Sequence, residues 1–222
     1  MASQIGRREL LQALLAEGRF EEVARAAILD PSLIPDVFRL LYHADPVIQH
    51  RAAACLAEAV RHHPERARPL LERLAWAMND ESGNYCPGAP VAMAELANAR
   101  PEEAKGFVPP LLGAVEEEPP DPNFLWAAGI LVASFPEEVG AHTSRFLGLL
   151  SHDAPLVRAL AARVLIRLRV PFPPDRLKAL LSDSTEVTDV ECLHPVTRTV
   201  RDVVLHETIA PCCGGGSCSK PF

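Results

Sequence analysis

Aromatic side chains are scarce in this sequence, at 5% of 222 residues. Runs of aromatic and β-branched residues, the usual material of strands, are also scarce before about residue 186. Together these absences exclude a sheet-built core for most of the chain. Basic charge is in deficit as well, with 22 basic residues against 29 acidic ones and a net charge of −7. A protein that grips a nucleic-acid backbone carries a basic face or stripe, so nucleic acid is not an expected partner. Apolar runs are short. Ala127–Ala133 is typical of the longest, far below the ~20 residues that span a bilayer, so no membrane partner is expected. The opening MASQIGRREL runs into a charged amphipathic segment with no apolar signal region, and the expected location is the cytoplasm. Also missing are a glycine-rich phosphate cradle, a Gly-x-Ser-x-Gly elbow and a His-Glu-x-x-His helix. No reaction is legible.

What is present is alanine and leucine in a chain that is 48% hydrophobic, enough for a sizeable core. Both residues favour helix, and small alanines let helices approach closely. One alanine-rich pattern recurs as Ala52-Ala53-Ala54-Cys55-Leu56, Ala89-Pro90-Val91-Ala92-Met93, Ala127-Ala128-Gly129-Ile130-Leu131 and Ala161-Ala162-Arg163-Val164-Leu165. The copies lie 37, 38 and 34 residues apart, room for two helices and two turns. Between them run amphipathic segments opening at Pro64, Pro101 and Pro136, because proline suits a first helical turn and not the interior. Asp45-Pro46, Asp121-Pro122 and Asp153 mark second-helix starts, where aspartate accepts from free N–H groups. The pattern predicts helix pairs at 6–17 with 19–29, 32–42 with 45–62, 64–78 with 86–99, 101–116 with 122–134 and 136–150 with 153–168. A short helix follows near 174–182.

The segment Asp153–Leu165, reading DAPLVRALAARVL, resembles the second helix of a HEAT repeat, and it is similar to the HEAT-like repeats of phycobilisome lyases. The likeness covers about residues 30–170. It implies an all-α, armadillo-like α-α superhelix, a HEAT-like solenoid of about five helical hairpins with a small C-terminal cap. For function it implies less, since such repeats serve scaffolds, adaptors, cofactor-attachment proteins and DNA-repair enzymes alike.

The expected division is a helical repeat domain at 1–183, a strand–helix cap at 184–210 and a Cys/Gly-rich tail at 211–222. Residues 185–193 alternate polar and apolar with β-branching, which suits one strand. His194-Pro195 reads as a turn and Thr197–Ile209 as a final helix. The cap is expected to cover the end of the last repeat, because solenoids need closed ends.

Two sets of candidate residues follow. A concave partner-binding groove would be lined by Phe124, Trp126, Arg158 and the 80–88 loop with Asp80, Glu81 and Cys86. Large aromatics make good anchors, and polar loops on rigid scaffolds gather function. The plainer reading makes the aromatics, including Trp76, gap-fillers between hairpins and the loop a long turn. The second set is Cys212, Cys213 and Cys218, around a glycine run, with His206 or Cys192 as a further ligand. Thiolates hold zinc, copper(I) and iron–sulfur clusters, so a metal ion or cluster is the possible cofactor. The spacing Cys-Cys-x4-Cys matches no standard site, and an idle terminus is the plainer reading. The primary expectation is a protein or peptide interaction scaffold, and the alternative is a metal- or cofactor-handling accessory protein.

Overall fold

A computed structural model describes residues 4–78 and 85–209. Its described residues are mostly helical. The chain runs through α1 (Gln4–Ala16), α2 (Phe20–Leu29), α3 (Ile34–Arg39), α4 (Pro46–His62), α5 (Ala67–Met78) and α6 (Ala89–Ala99). It continues through α7 (Pro101–Ala104), α8 (Val108–Gly113), α9 (Pro122–Leu131), α10 (Pro136–Gly140), α11 (Thr143–Leu149), α12 (Pro155–Arg167) and α13 (Pro174–Leu181). Strands β1 (Glu186–Glu191) and β2 (His194–Thr199) precede α14 (Val200–Ile209). Among the described residues, no helix is long and apolar enough to cross a membrane.

Helix starts follow the local chemistry. The Asp45 carboxylate accepts from the Val47 N–H at 2.9 Å and Asp121 from the Asn123 N–H at 2.8 Å, each followed by proline. The third expected cap is not made. Ala154 holds that position at α12 without a side-chain bond, and His152 Nδ1 accepts from the Ala154 N–H at 3.1 Å. The expected single helices at 101–116 and 136–150 are each broken in two. Pro109 and Pro110 lack N–H groups and fit only a first turn, so the chain restarts at Val108. At Gly140 the Thr143 hydroxyl takes the carbonyl at 2.7 Å and a new helix begins.

The longer second helices pack in chain order: α2 on α4, α4 on α6, α6 on α9, α9 on α12, and α12 on α14. Their contacts use the repeated small residues. Ala52, Ala53, Ala89, Ala92, Ala127, Ala128, Ala161 and Ala162 are all fully buried. Gly88 has a specific reason to lack a side chain. A Cβ there would sit 2.8 Å from the Leu41 carbonyl oxygen, to which the Gly88 N–H donates at 3.0 Å.

The C-terminal segment departs from the single strand expected. The alternation continues through Val196-Thr197-Arg198-Thr199, so β2 pairs antiparallel with β1, Glu191 opposite His194. The turn is Cys192-Leu193, not His194-Pro195, and both turn residues have positive φ, 47° and 65°. Only α14 behaves as the expected end cap, lying on α12 and α13. The hairpin instead runs from α12 back to α4. Val187, Val200, Val203 and Val204 join the same apolar core as the helices.

Candidate functional site

Arg51, Gly88, Trp126 and Leu160 occupy one equivalent position in the four copies of the repeat, and the Arg51 and Trp126 side chains reach one common side. The β-hairpin lies across that side. Strand periodicity turns Val187, Asp189 and Glu191 toward the helices, and all three are buried. Asp189 accepts from the Trp126 indole N–H at 2.7 Å and pairs with Arg163. Arg163 also reaches Glu191 at 3.1 Å and Glu207 of α14 at 3.2 Å. Arg167 pairs with Glu207 at 2.6 Å and Arg198 of β2 with Glu191 at 2.9 Å. Three guanidinium groups thus face three carboxylates in a cluster mostly shut off from water. Burial alone would push the Asp189 carboxyl up, but the charge and hydrogen bonds of Arg163, then the Trp126 N–H, hold it below the usual carboxylate range.

The far end of the hairpin is held by backbone recognition. The buried Arg51 donates from Nε to the Leu193 carbonyl at 2.7 Å. Its Nη1 donates to the carbonyls of Leu15 at 2.5 Å and Ala16 at 3.2 Å. His194 meets the Phe20 ring edge-on at 6.2 Å. A two-residue turn with both φ values positive normally uses Asn-Gly. Non-glycine residues there cost about 1–2 kcal/mol each, and the Arg51 clamp is one compensating contact. His50, one residue away, packs edge-on against Trp126 at 5.0 Å. Its buried Nε2 has no hydrogen-bond partner among the described residues. Burial first, and then Arg163 opposing the pull of Asp189, push its pKa down to about 4.

The sequence-predicted groove residues have different fates. Trp126 and Phe124 are only 8% and 9% exposed, so neither presents an open aromatic anchor. The reason is specific for Trp126, whose N–H is satisfied by Asp189 under the hairpin. Arg158 does not join them. It pairs with Asp183 at 2.6 Å and donates to the His152 and Asp153 carbonyls at 2.7 and 2.9 Å, locking the turn into α12. Gln49, its repeat equivalent, does the same to His43 at 2.5 Å. Cys86 is fully buried, and burial pushes its thiol up to about 11, which leaves it protonated and unreactive. Trp76 is the reverse of a gap-filler: it is 82% exposed and borders a shallow hollow with Glu72, Arg73 and Phe107.

Asp80, Glu81, Cys212, Cys213 and Cys218 lie outside the described residues. His206 lies within α14, and its buried Nδ1 has no partner among the described residues. Cys192 is exposed at the hairpin turn. Among the described residues, no three His, Cys, Asp or Glu side chains are grouped to hold a metal ion.

Sequence reasoning missed Arg51, Arg163, Asp189, Glu191 and Glu207. A signal existed for Arg163, which stands where the other repeats carry Ala54, Val91 and Gly129. The inward period-2 set Val187, Asp189, Glu191 was the other.

Comparison with known proteins adds little about function. No protein-family model matches the chain, and no solved structure matches it. A protein of Archaeoglobus fulgidus described as uncharacterized is 43% identical over 67 residues, covering 30% of this chain and 36% of that protein. The match thus spans about a third of that relative's length.

Proposed function

We propose that this chain is a HEAT-like helical-repeat interaction module that binds an extended protein segment along one side of its second helices. Serial packing of α4, α6, α9 and α12 supports a solenoid, which exposes an elongated receptor surface by construction. The observation that carries the reading is the seating of an extended strand on that side. Arg51, Trp126 and Arg163, from three different helices, grip one strand and its turn through backbone and carboxylate contacts. Backbone capture plus alternate side-chain pockets is how peptide-binding domains hold strands. The location consistent with this reading is the cytoplasm.

The test is site-specific photo-crosslinking in cells that naturally produce the protein, with the reactive group at Thr197 on β2 of the hairpin or at Trp76 on the exposed hollow. The expected result is a discrete protein adduct from Thr197. Adducts from Trp76 alone would move the binding surface to α5 and overturn this assignment.

A second reading, a metal or iron–sulfur accessory protein, is favoured by one observation. The His206 Nδ1, which has no partner among the described residues, lies three residues before the end of α14, ahead of Cys212, Cys213 and Cys218. Anaerobic purification followed by elemental analysis tests it. A bound metal lost in the triple Cys→Ser variant supports it, and a metal-free protein refutes it.

A further inference from the structure

We propose that the β1–β2 hairpin is a displaceable occupant, and that the ligand of this side is an acidic extended segment of a partner protein that takes the place of β1. The proposal rests on the interaction reading above and specifies its ligand. Four observations point to it.

The first is charge. The chain as a whole is acidic, at −7, yet the side under the hairpin offers Arg51, Arg163 and Arg167. To Arg163 the hairpin presents an acid-x-acid pair, Asp189 and Glu191, set by strand periodicity, while Arg51 holds the Leu193 carbonyl and Arg167 pairs with Glu207 of α14. A segment with carboxylates at i and i+2 would make the same contacts.

The second is the character of the seat. Of the apolar residues of the two strands only Val187 is buried against the helices, and β2 has no buried residue. A buried ion-pair cluster gains little net stability, because desolvation offsets its Coulomb attraction. Exchange for an equivalent acidic strand therefore leaves the helices' side of the balance unchanged.

The third is strain. Cys192 and Leu193 sit at positive φ without being glycine, a cost that undocking of the turn from Arg51 would release. The fourth is the buried His50 Nε2 beneath the hairpin, which has no partner among the described residues. It is a polar atom that the present occupant leaves without a partner and that a better-fitting ligand could engage.

The experiment uses the full chain carrying Asp189→Asn and Glu191→Gln, and a fluorescent peptide copying residues 185–193 with Cys192→Ser. The expected result is at least tenfold tighter binding of the peptide to this variant than to the unaltered chain. A peptide that itself carries Asp189→Asn and Glu191→Gln should bind at least tenfold more weakly. Equal affinity of the two chains, or of the two peptides, would overturn the proposal. So would displacement of the peptide by an oligonucleotide of equal charge at lower concentration, since the ligand would then not be a protein segment.

Should the variant not fold, hydrogen exchange on the unaltered chain decides. Protected amides of β1 and β2 should exchange at least tenfold faster than those of α6 and α9, because the hairpin opens while the helices stay packed. Exchange of all of them at one common rate would refute a displaceable hairpin. A Thr197 crosslink to a protein, combined with failure of the acidic peptide, would leave the interaction reading standing and remove only this one.

Discussion

The row of second helices and the hairpin laid across it are held by opposite kinds of contact. Between α4, α6, α9 and α12 the contacts are alanines and leucines with no exposed surface, where every removed or added methylene is felt. Between hairpin and helices the contacts are mainly guanidinium groups, carboxylates and one indole N–H. Apolar packing of this kind is cooperative and specific to shape. Ion pairs specify register and partner charge while adding little net stability. The row is held mainly by shape and the hairpin mainly by charge.

The comparison breaks most visibly if the row is damaged. Leu96→Ala removes a fully buried side chain from α6 and should cost about 2–5 kcal/mol of global stability, read from urea unfolding.

A comparable effect should come from pH, and it separates two buried groups. His50 has its pKa lowered to about 4 from an ordinary 6.5. As pH falls from 6.5 to 4 the unfolded chain takes up a proton that the folded chain refuses, so stability falls on acidification. Glu95, buried first of all and only weakly aided by Arg61, has its pKa raised to about 7 from 4.5. As pH rises from 4.5 to 7 the unfolded chain releases a proton that the folded chain keeps, so stability falls on alkalinisation. Each contribution is about 3 kcal/mol over its full range, and the two oppose between pH 4.5 and 6.5. Unfolding curves in that window should slope one way for His50→Gln and the other way for Glu95→Gln. Parallel slopes would mean the two groups are not buried as described.

Smaller still, Ala128→Leu or Ala162→Leu should overpack the helix contacts at about 1–3 kcal/mol, seen as a lowered melting temperature. Gly88→Ala should cost a similar amount through the clash with the Leu41 carbonyl. The smallest change is expected at the exposed Arg19–Glu22 pair. Arg19→Ala should leave stability nearly unchanged in the same assay, which sets the baseline for a surface ion pair against the buried Arg163 cluster.

Much of the fold was legible in the residues. Prolines at helix starts, the Asp45 and Asp121 caps and the recurring alanines placed the second helices within a few residues of where they lie, because each of these signals acts over one helical turn. The candidate site was much less legible. Phe124 and Trp126 were expected as open anchors because rare aromatics stand out in an alanine-rich chain. Their burial depends on what covers them, and for Trp126 the cover is a strand 63 residues away. Arg158 was grouped with them by repeat position alone, yet its partners are the neighbouring turn and Asp183.

The order of helices, the small residues at their contacts and the existence of β-structure near residue 186 follow from local propensity and periodicity, so the sequence alone determines them. Which way the hairpin travels is another matter. Pairing Arg51 with Leu193 joins residues 142 apart, and no local rule encodes such a meeting. It is decided when the stacked helices bring Arg51, Trp126 and Arg163 to one side, where the hairpin supplies the Leu193 carbonyl and the Asp189 and Glu191 carboxylates that they bind.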